Sequence, residues 1–271
     1  MLRLFFLSFF LSILCNVSGQ TWEAGVFMGG SGYMGDINPT KPYKVNNLAY
    51  GAHIKRNFDG YWALKFNLMH GKIQADDAES SNEYQQQRNL NFYSPLTEAS
   101  LQVEFNFFNY MAGDTHAFNT KKITPYIFTG IGGILFNPKT IYNGKEYELR
   151  LYSTEGQDIP NSYKNYALAI PYGAGIKYNV AHNWSLIGEA GYRTAFTDYL
   201  DDVSGKYPGY SNPDPANLAI SDRKNLSNRA INNPEIGVPG TQRGDYRKRD
   251  TYMFVGISLT YTFVSQKCPG F

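Results

Sequence analysis

The chain has 271 residues, of which 42% are hydrophobic, 16% aromatic and 18% charged. Lys and Arg number 25 against 23 Asp and Glu, which excludes the basic excess of a nucleic-acid binder, and the apolar content excludes a disordered chain. Beyond the N-terminal segment no apolar run approaches the roughly 18 residues of a spanning helix, leaving a soluble β-protein or a membrane β-barrel.

The chain opens as an export signal. Arg3 precedes the apolar block Leu4 to Leu14, and Val17-Ser18-Gly19 offers small residues for cleavage before Gln20. Residues 1–19 are read as a secretory signal peptide and set aside from the fold. Cys15 would suit a lipoprotein, but Leu14 stands where a small residue is expected, so lipidation is not assigned. Cys268 is then the single mature thiol, which excludes a disulfide scaffold.

Eight segments follow with period-two alternation, the mark of strands with two different faces. In the first, Trp22, Ala24, Val26 and Met28 oppose Glu23 and Gly25. In the second, Tyr50, Ala52 and Ile54 oppose His53, Lys55 and Asn57. The third sets Trp62, Leu64, Phe66 and Leu68 against Lys65 and Asn67. The fourth sets Ala99, Leu101, Val103, Phe105 and Phe107 against Glu98, Ser100, Gln102, Glu104 and Asn106. The fifth, near Ile123 to Phe136, mixes Gly and aromatics, and its faces are ambiguous. The sixth sets Leu168, Ile170, Tyr172, Ala174, Ile176 and Tyr178 against Gly173, Gly175 and Lys177. The seventh sets Trp184, Leu186, Ala190 and Tyr192 against Ser185, Glu189, Gly191 and Arg193. The eighth sets Met253, Val255, Ile257, Leu259, Tyr261 and Phe263 against Gly256, Ser258, Thr260 and Thr262.

These segments reach about ten residues, the length of a tilted membrane strand rather than of a soluble one. Trp22, Trp62, Trp184, Tyr178 and Tyr192 stand near strand ends on the apolar face, as interfacial girdles require. A soluble sandwich also alternates, but seldom with strands so long and regular. The connections alternate too. Residues 58–61 hold an Asp-Gly turn, 179–183 another brief turn and 109–122 a medium one, whereas 30–47, 74–95, 137–165 and 197–250 are long. The expectation is an all-β fold: an eight-stranded antiparallel transmembrane β-barrel of the outer-membrane type over residues 20–264, with long extracellular loops, short periplasmic turns, and a periplasmic tail at 265–271.

If the apolar faces meet lipid, Glu23, Lys55, Lys65, Glu98, Glu104, Lys177, Glu189 and Arg193 point inward. Their signs balance, and the interior of a barrel this small is just wide enough to be filled, so ion pairing is expected over a charged permeation path. Small barrels that act on lipids need a His paired with Ser and an acid. His53 faces inward, His70 faces lipid, His116 and His182 fall in turns, and no Gly-x-Ser-x-Gly elbow exists. No catalytic residue, cofactor or metal is assigned. Asp198, Asp201 and Asp202 lie close together at the base of the last long loop. Such carboxylates could hold Ca²⁺, but their spacing does not fit a calcium loop. The plainer reading is Asx turns and pairing with Arg243, Arg247, Lys248 or Arg249, which end that loop. The tripeptide Arg243-Gly244-Asp245 is too short to carry weight, and the pairs Gly29-Gly30 and Gly132-Gly133 suit bends or close packing.

Several segments resemble the PorG-like outer-membrane proteins of Bacteroidetes. They are Trp22 to Gly30 with Tyr33-Met34-Gly35-Asp36-Ile37, Thr124 to Gly133 with Phe136-Asn137-Pro138-Lys139, and Tyr192 to Gly205. The end, Tyr261-Thr262-Phe263 and Lys267-Cys268-Pro269-Gly270-Phe271, is similar as well. The resemblance implies an integral barrel of the type IX secretion system that associates with a periplasmic ring of PorK- and PorN-like proteins. The surfaces expected to meet such a partner are the turn at 109–122, with Asp114 and His116, and the tail, with Cys268, Pro269 and Phe271. Cys268 is either free or bridged to another chain, as the periplasm permits. The alternatives are an OmpA-like surface barrel that binds a ligand through its long loops, or a lipid-modifying barrel enzyme.

Overall fold

A computed structural model describes residues 21–113, 120–157, 162–209, 220–231 and 233–263. Eight long strands form a closed antiparallel barrel: β1 (Thr21–Met34), β2 (Val45–Asn57), β3 (Trp62–Asp76), β4 (Asn91–Asn106), β5 (Ile123–Phe136), β8 (Tyr166–Ala181), β9 (Trp184–Ala195) and β10 (Thr251–Phe263). Each pairs with its neighbour in sequence, β5 with β8 across an inserted hairpin, and β10 closes on β1 with Trp22 opposite Phe263 and Met34 opposite Thr251. Closure leaves no edge of unpaired amides in the wall, as a bilayer demands. No helix among the described residues is long and apolar enough to cross a membrane; the crossing elements are strands.

The two faces of the wall follow the alternation. Val26 and Met28 are 62% and 66% exposed while Phe27 between them is 5% exposed. On β5, whose faces were ambiguous in the sequence, Ile127, Ile131 and Leu135 point out, and Tyr126, Phe128, Ile134 and Phe136 point in. Trp22, Trp62, Tyr178 and Trp184 gather at one rim, where Trp62 packs on Phe105 at 4.8 Å and Trp184 on Tyr261 at 5.0 Å. This rim carries the short connections. Asp59 Oδ1 accepts from the Tyr61 and Trp62 amides, both at 2.7 Å, which fixes the β2–β3 turn. Tyr192 lies toward the other rim, and its hydroxyl donates to the Pro42 carbonyl. An apolar outer belt, an aromatic rim and a polar lumen are the architecture of an outer-membrane barrel.

The long connections depart from expectation in two ways. First, the strands run further than the alternation indicated, β1 to Met34 and β3 to Asp76, so the first loops are shorter than residues 30–47 and 74–95. Second, the loop at 137–165 holds a hairpin, β6 (Lys139–Tyr142) and β7 (Lys145–Glu148), which pairs back to β4 through Tyr93 and Lys139. Its turn is Asn143-Gly144, with φ of 49° and 76°, the two positive values that a tight hairpin needs. A short helix, α1 (Glu83–Arg88), is capped by Asn82 and ended by Asn89 in the left-handed region. A second, α2 (Ile220–Ser227), belongs to the last loop.

Candidate functional site

The lumen is built in two layers. Glu23, Lys55, Lys65, Glu104, Lys177 and Glu189 project inward toward the turn end, and Glu98 and Arg193 project inward further along the wall, Arg193 opposite Tyr252. They join into one chain of alternating sign. Lys55 Nζ lies 2.8 Å from Glu23 and 3.6 Å from Glu104, and Glu104 also takes Lys65 at 2.9 Å and Lys177 at 2.5 Å. Lys65 continues to Glu189 at 2.6 Å, and Arg193 bridges Glu189 at 3.9 Å and Glu98 at 3.3 Å. The spare lone pairs are taken up by neighbours: Tyr126 donates to Glu189 at 2.7 Å, Tyr252 to Glu98 at 2.6 Å and Asn57 to Glu23 at 2.6 Å. Buried charge is tolerated only when paired and hydrogen-bonded in this way.

Above the lower charges the inward face turns largely apolar, with the Glu98–Arg193 pair set among Tyr252 and Phe254. Phe27, Tyr33, Met69, Ile73, Phe92, Leu96, Ile134, Phe136, Tyr252 and Phe254 form a buried core continuous with Leu200, Val203 and Leu226 of the last loop. The inward charges read from the sequence do not by themselves reveal this layer, because they mark only part of each strand's inner face. The signal was present: Phe27 and Phe92 fall on the same parity as the inward charges of their strands, and Phe254 on that of Ser258, Thr260 and Thr262.

At the loop end, Asp198, Asp201 and Asp202 do not form one cluster. Asp202 has φ of 68°, a left-handed step that parts its side chain from that of Asp201. Asp202 joins Arg243, whose Nη2 is 3.7 Å away, and accepts from Tyr163 at 2.5 Å. Arg243 also holds Glu155 at 2.9 Å and donates to the Asp202 carbonyl at 2.6 Å. Asp198 accepts from Ser204 at 2.7 Å. Asp201 turns inward to meet Asp36 and Asp250, and one carboxylate oxygen from each of the three lies within 4.8 Å of the others. The Tyr33 hydroxyl reaches Asp201 Oδ2 at 2.6 Å and Asp250 Oδ1 at 3.0 Å. Burial, then repulsion from Asp201, pushes Asp36 up to about 9. Burial and a facing carboxylate likewise hold Asp201 and Asp250 well above the ordinary range, and burial raises Asp202 to about 6 against the pull of Arg243. Of the basic residues expected to pair here, Arg243 takes Asp202; Arg247 pairs with Asp245 at 3.0 Å, and Arg249 stacks over Phe196 at 4.2 Å.

The profile of DUF6089, described as a domain of unknown function, matches residues 2–228. The chain belongs to the DUF6089 family. No curated protein matches its sequence. Solved structures with a similar course of chain include the N-terminal β-barrel domain of Pseudomonas aeruginosa OprF, with 12% identity, 91% of this chain and 98% of that one covered, and a TM-score of 0.36. OprG from the same organism shows 9% identity, coverage of 92% and 97%, and a TM-score of 0.39. Ail, the attachment invasion locus protein of Yersinia pestis, solved with the heparin analogue sucrose octasulfate, shows 12% identity, coverage of 90% and 97%, and a TM-score of 0.36.

The histidines of this DUF6089 chain find no serine partner in the hydrogen bonds of the described residues. His53 Nε2 lies 3.2 Å from Thr260 Oγ1 inside the lumen, and His70 Nδ1 lies 2.9 Å from Thr97 Oγ1. His182 forms the β8–β9 turn with φ of 35°. Asp114, His116, Cys268, Pro269 and Phe271 lie outside the described residues, as do the signal segment and the tail.

Proposed function

We propose that this barrel is a non-conducting structural anchor of the type IX protein secretion machinery, set in the outer membrane with its short turns toward the periplasm and a ring of PorK- and PorN-like proteins. The observation that carries the anchoring role is the filled lumen. A chain of ion pairs joins β1 to β9 through the interior, and an apolar core lies above it. The secretion assignment rests on the resemblance of residues 22–30, 33–37, 124–133, 136–139, 192–205, 261–263 and 267–271. The turn end offers a surface suited to a partner. A hollow of about 370 Å³ lies between two of its turns, lined by Met111, Thr120, Lys121, Lys122, Val180 and His182. No catalytic role is assigned, since His53 meets a threonine and His70 lies on the outer wall.

Pull-down of the tagged full chain from gently solubilised membranes tests this reading. The ring proteins are expected to co-purify, a Lys121→Glu/Lys122→Glu variant to capture them less well, and deletion of the chain to stop secretion. A barrel that captures no ring component and whose loss leaves secretion intact would refute the proposal. A second reading, an OmpA-like barrel that binds a surface ligand, is favoured by the internal bracing of the loop end through Arg243, Glu155 and Asp202. Shortening the last loop with secretion intact but surface binding lost would select it.

A further inference from the structure

No Lys or Arg among the described residues pairs directly with the Asp36–Asp201–Asp250 cluster, and Arg88 reaches Asp201 only through longer-range attraction. The cluster's members come from three places: just past β1, past β9, and immediately before β10. Each is 2% exposed or less. The two buried guanidinium groups nearby are engaged elsewhere. Arg88 grips Asp77 at 2.7 and 2.8 Å and gives Asp36 only a bond to its main-chain carbonyl, and Arg243 holds Glu155 and Asp202.

The neutral donors do not make up the deficit. The Asp245 amide donates to Asp36 Oδ1, the Val203 amide to Asp201 Oδ1 and the Leu200 amide to Asp250 Oδ2. Tyr33 has one phenolic proton for two carboxylate contacts, so it satisfies one of them. Asp36 Oδ2 is buried and has no hydrogen-bond partner. An unpartnered carboxylate oxygen sealed from water beside two further carboxylates is costly unless a cation or protons join them. The backbone leaves room for the group. A Cβ on Gly35 would stand 2.0 Å from Tyr33 Oη and 2.1 Å from Asp250 Oδ1, so only glycine lets the chain pass at this point.

We propose that Asp36, Asp201 and Asp250 bind a hard divalent cation, Ca²⁺ foremost, which ties the first and last loops to the barrel wall. The donors are carboxylate oxygens with a phenol oxygen beside them, the hard set that Ca²⁺ and Mg²⁺ prefer and softer metals do not. Oxygens on opposite sides of a Ca²⁺ shell lie about 4.6–5.2 Å apart, and one oxygen from each of the three carboxylates lies within 4.8 Å of the others, close enough to share one ion. Asp36 and Asp201 stand on different loops, so the ion acts as a cross-link between them.

The test uses the full chain purified in detergent, stripped with chelator and dialysed against ⁴⁵CaCl₂ or MgCl₂ at pH 7.5. One Ca²⁺ per barrel is expected, with a dissociation constant between about 10⁻⁶ and 10⁻³ M. Thermal unfolding should shift upward in CaCl₂ relative to chelator. Asp36→Asn and Asp201→Asn should each weaken binding at least tenfold while the strands stay folded by circular dichroism. Should either variant fail to fold, the wild-type titration decides alone. Binding of less than 0.1 Ca²⁺ per barrel at 1 mM would overturn the proposal and leave protons as what joins the carboxylates. Equal binding by folded variants would overturn it as well, and binding of Mg²⁺ alone would overturn the assignment of Ca²⁺ as the preferred ion.

Discussion

At the scale of single residues, neighbours in sequence part company. Asp201 and Asp202 are adjacent, yet one meets Asp36 and Asp250 and the other closes on Arg243 and Tyr163. Nothing in the local spacing announces Asp36 or Asp250 as partners, because the barrel closure between β1 and β10 is what brings them together. Asp198 shows a simpler effect. It is half-buried, faces Asp245 and Glu155, and burial raises its pKa to about 6 from an ordinary 3.8. A carboxyl whose folded pKa is raised gives its full contribution to stability below 3.8, and that contribution is lost as pH climbs through about 6. The loss is about 1–2 kcal/mol once the half-exposed setting is discounted for solvent screening. Melting of the wild type and of Asp198→Asn between pH 3.5 and pH 7.5 measures it. The wild type should lose stability relative to the variant across that window, and parallel curves would remove Asp198 from the account.

At the scale of elements, the alternation was legible wherever one face met lipid and the other carried charge. It failed on β5, where Ile127 and Phe128 are both apolar but face opposite ways, and beyond the membrane band, where β1 and β3 continue after their outer faces cease to be apolar. The β6–β7 hairpin could have been found from Asn143-Gly144 alone, a strong turn signal inside a segment read as loop. Glycines inside the wall follow a rule of their own. A Cβ on Gly173 would stand 2.3 Å from the Ala190 carbonyl and 2.7 Å from Phe128 Cζ, and one on Gly191 would stand 2.5 Å from the same ring atom. The Phe128 ring therefore covers the bare backbone of β8 and β9, filling the space their side chains leave. A Gly173→Val substitution forces overpacking against main chain, which costs at least about 1–3 kcal/mol. The expected result is loss of the folded, fast-migrating band on unheated gels, whereas Ile176→Val on the outer face leaves that band unchanged. A fully folded Gly173→Val barrel would show that the wall yields more than its packing implies.

At the scale of the whole molecule, the two-layered lumen decides what the barrel can pass. An interior bounded by eight strands is just wide enough for side chains. Here the turn-end half is occupied by ion pairs and the loop-end half by Phe27, Phe92, Phe136, Tyr252 and Phe254 packed around the Glu98–Arg193 pair. An ion crossing the barrel would have to displace paired charges and then pass between packed rings and aliphatic groups that leave it no open path. Opening one layer leaves the other closed. Glu104→Gln separates the two effects, because Glu104 holds Lys55, Lys65 and Lys177 together. Its loss leaves three buried ammonium groups with one fewer counter-charge, a change that costs about 3–5 kcal/mol when a buried pair is broken. The variant should unfold at lower temperature than the wild type and still pass no steady current in a planar bilayer, because the apolar layer is untouched. Adding Phe254→Ala to Glu104→Gln removes bulk from that second layer, and only the double variant is expected to leak. Steady conductance from the wild type, or from Glu104→Gln alone, would mean that the apolar half does not seal the lumen.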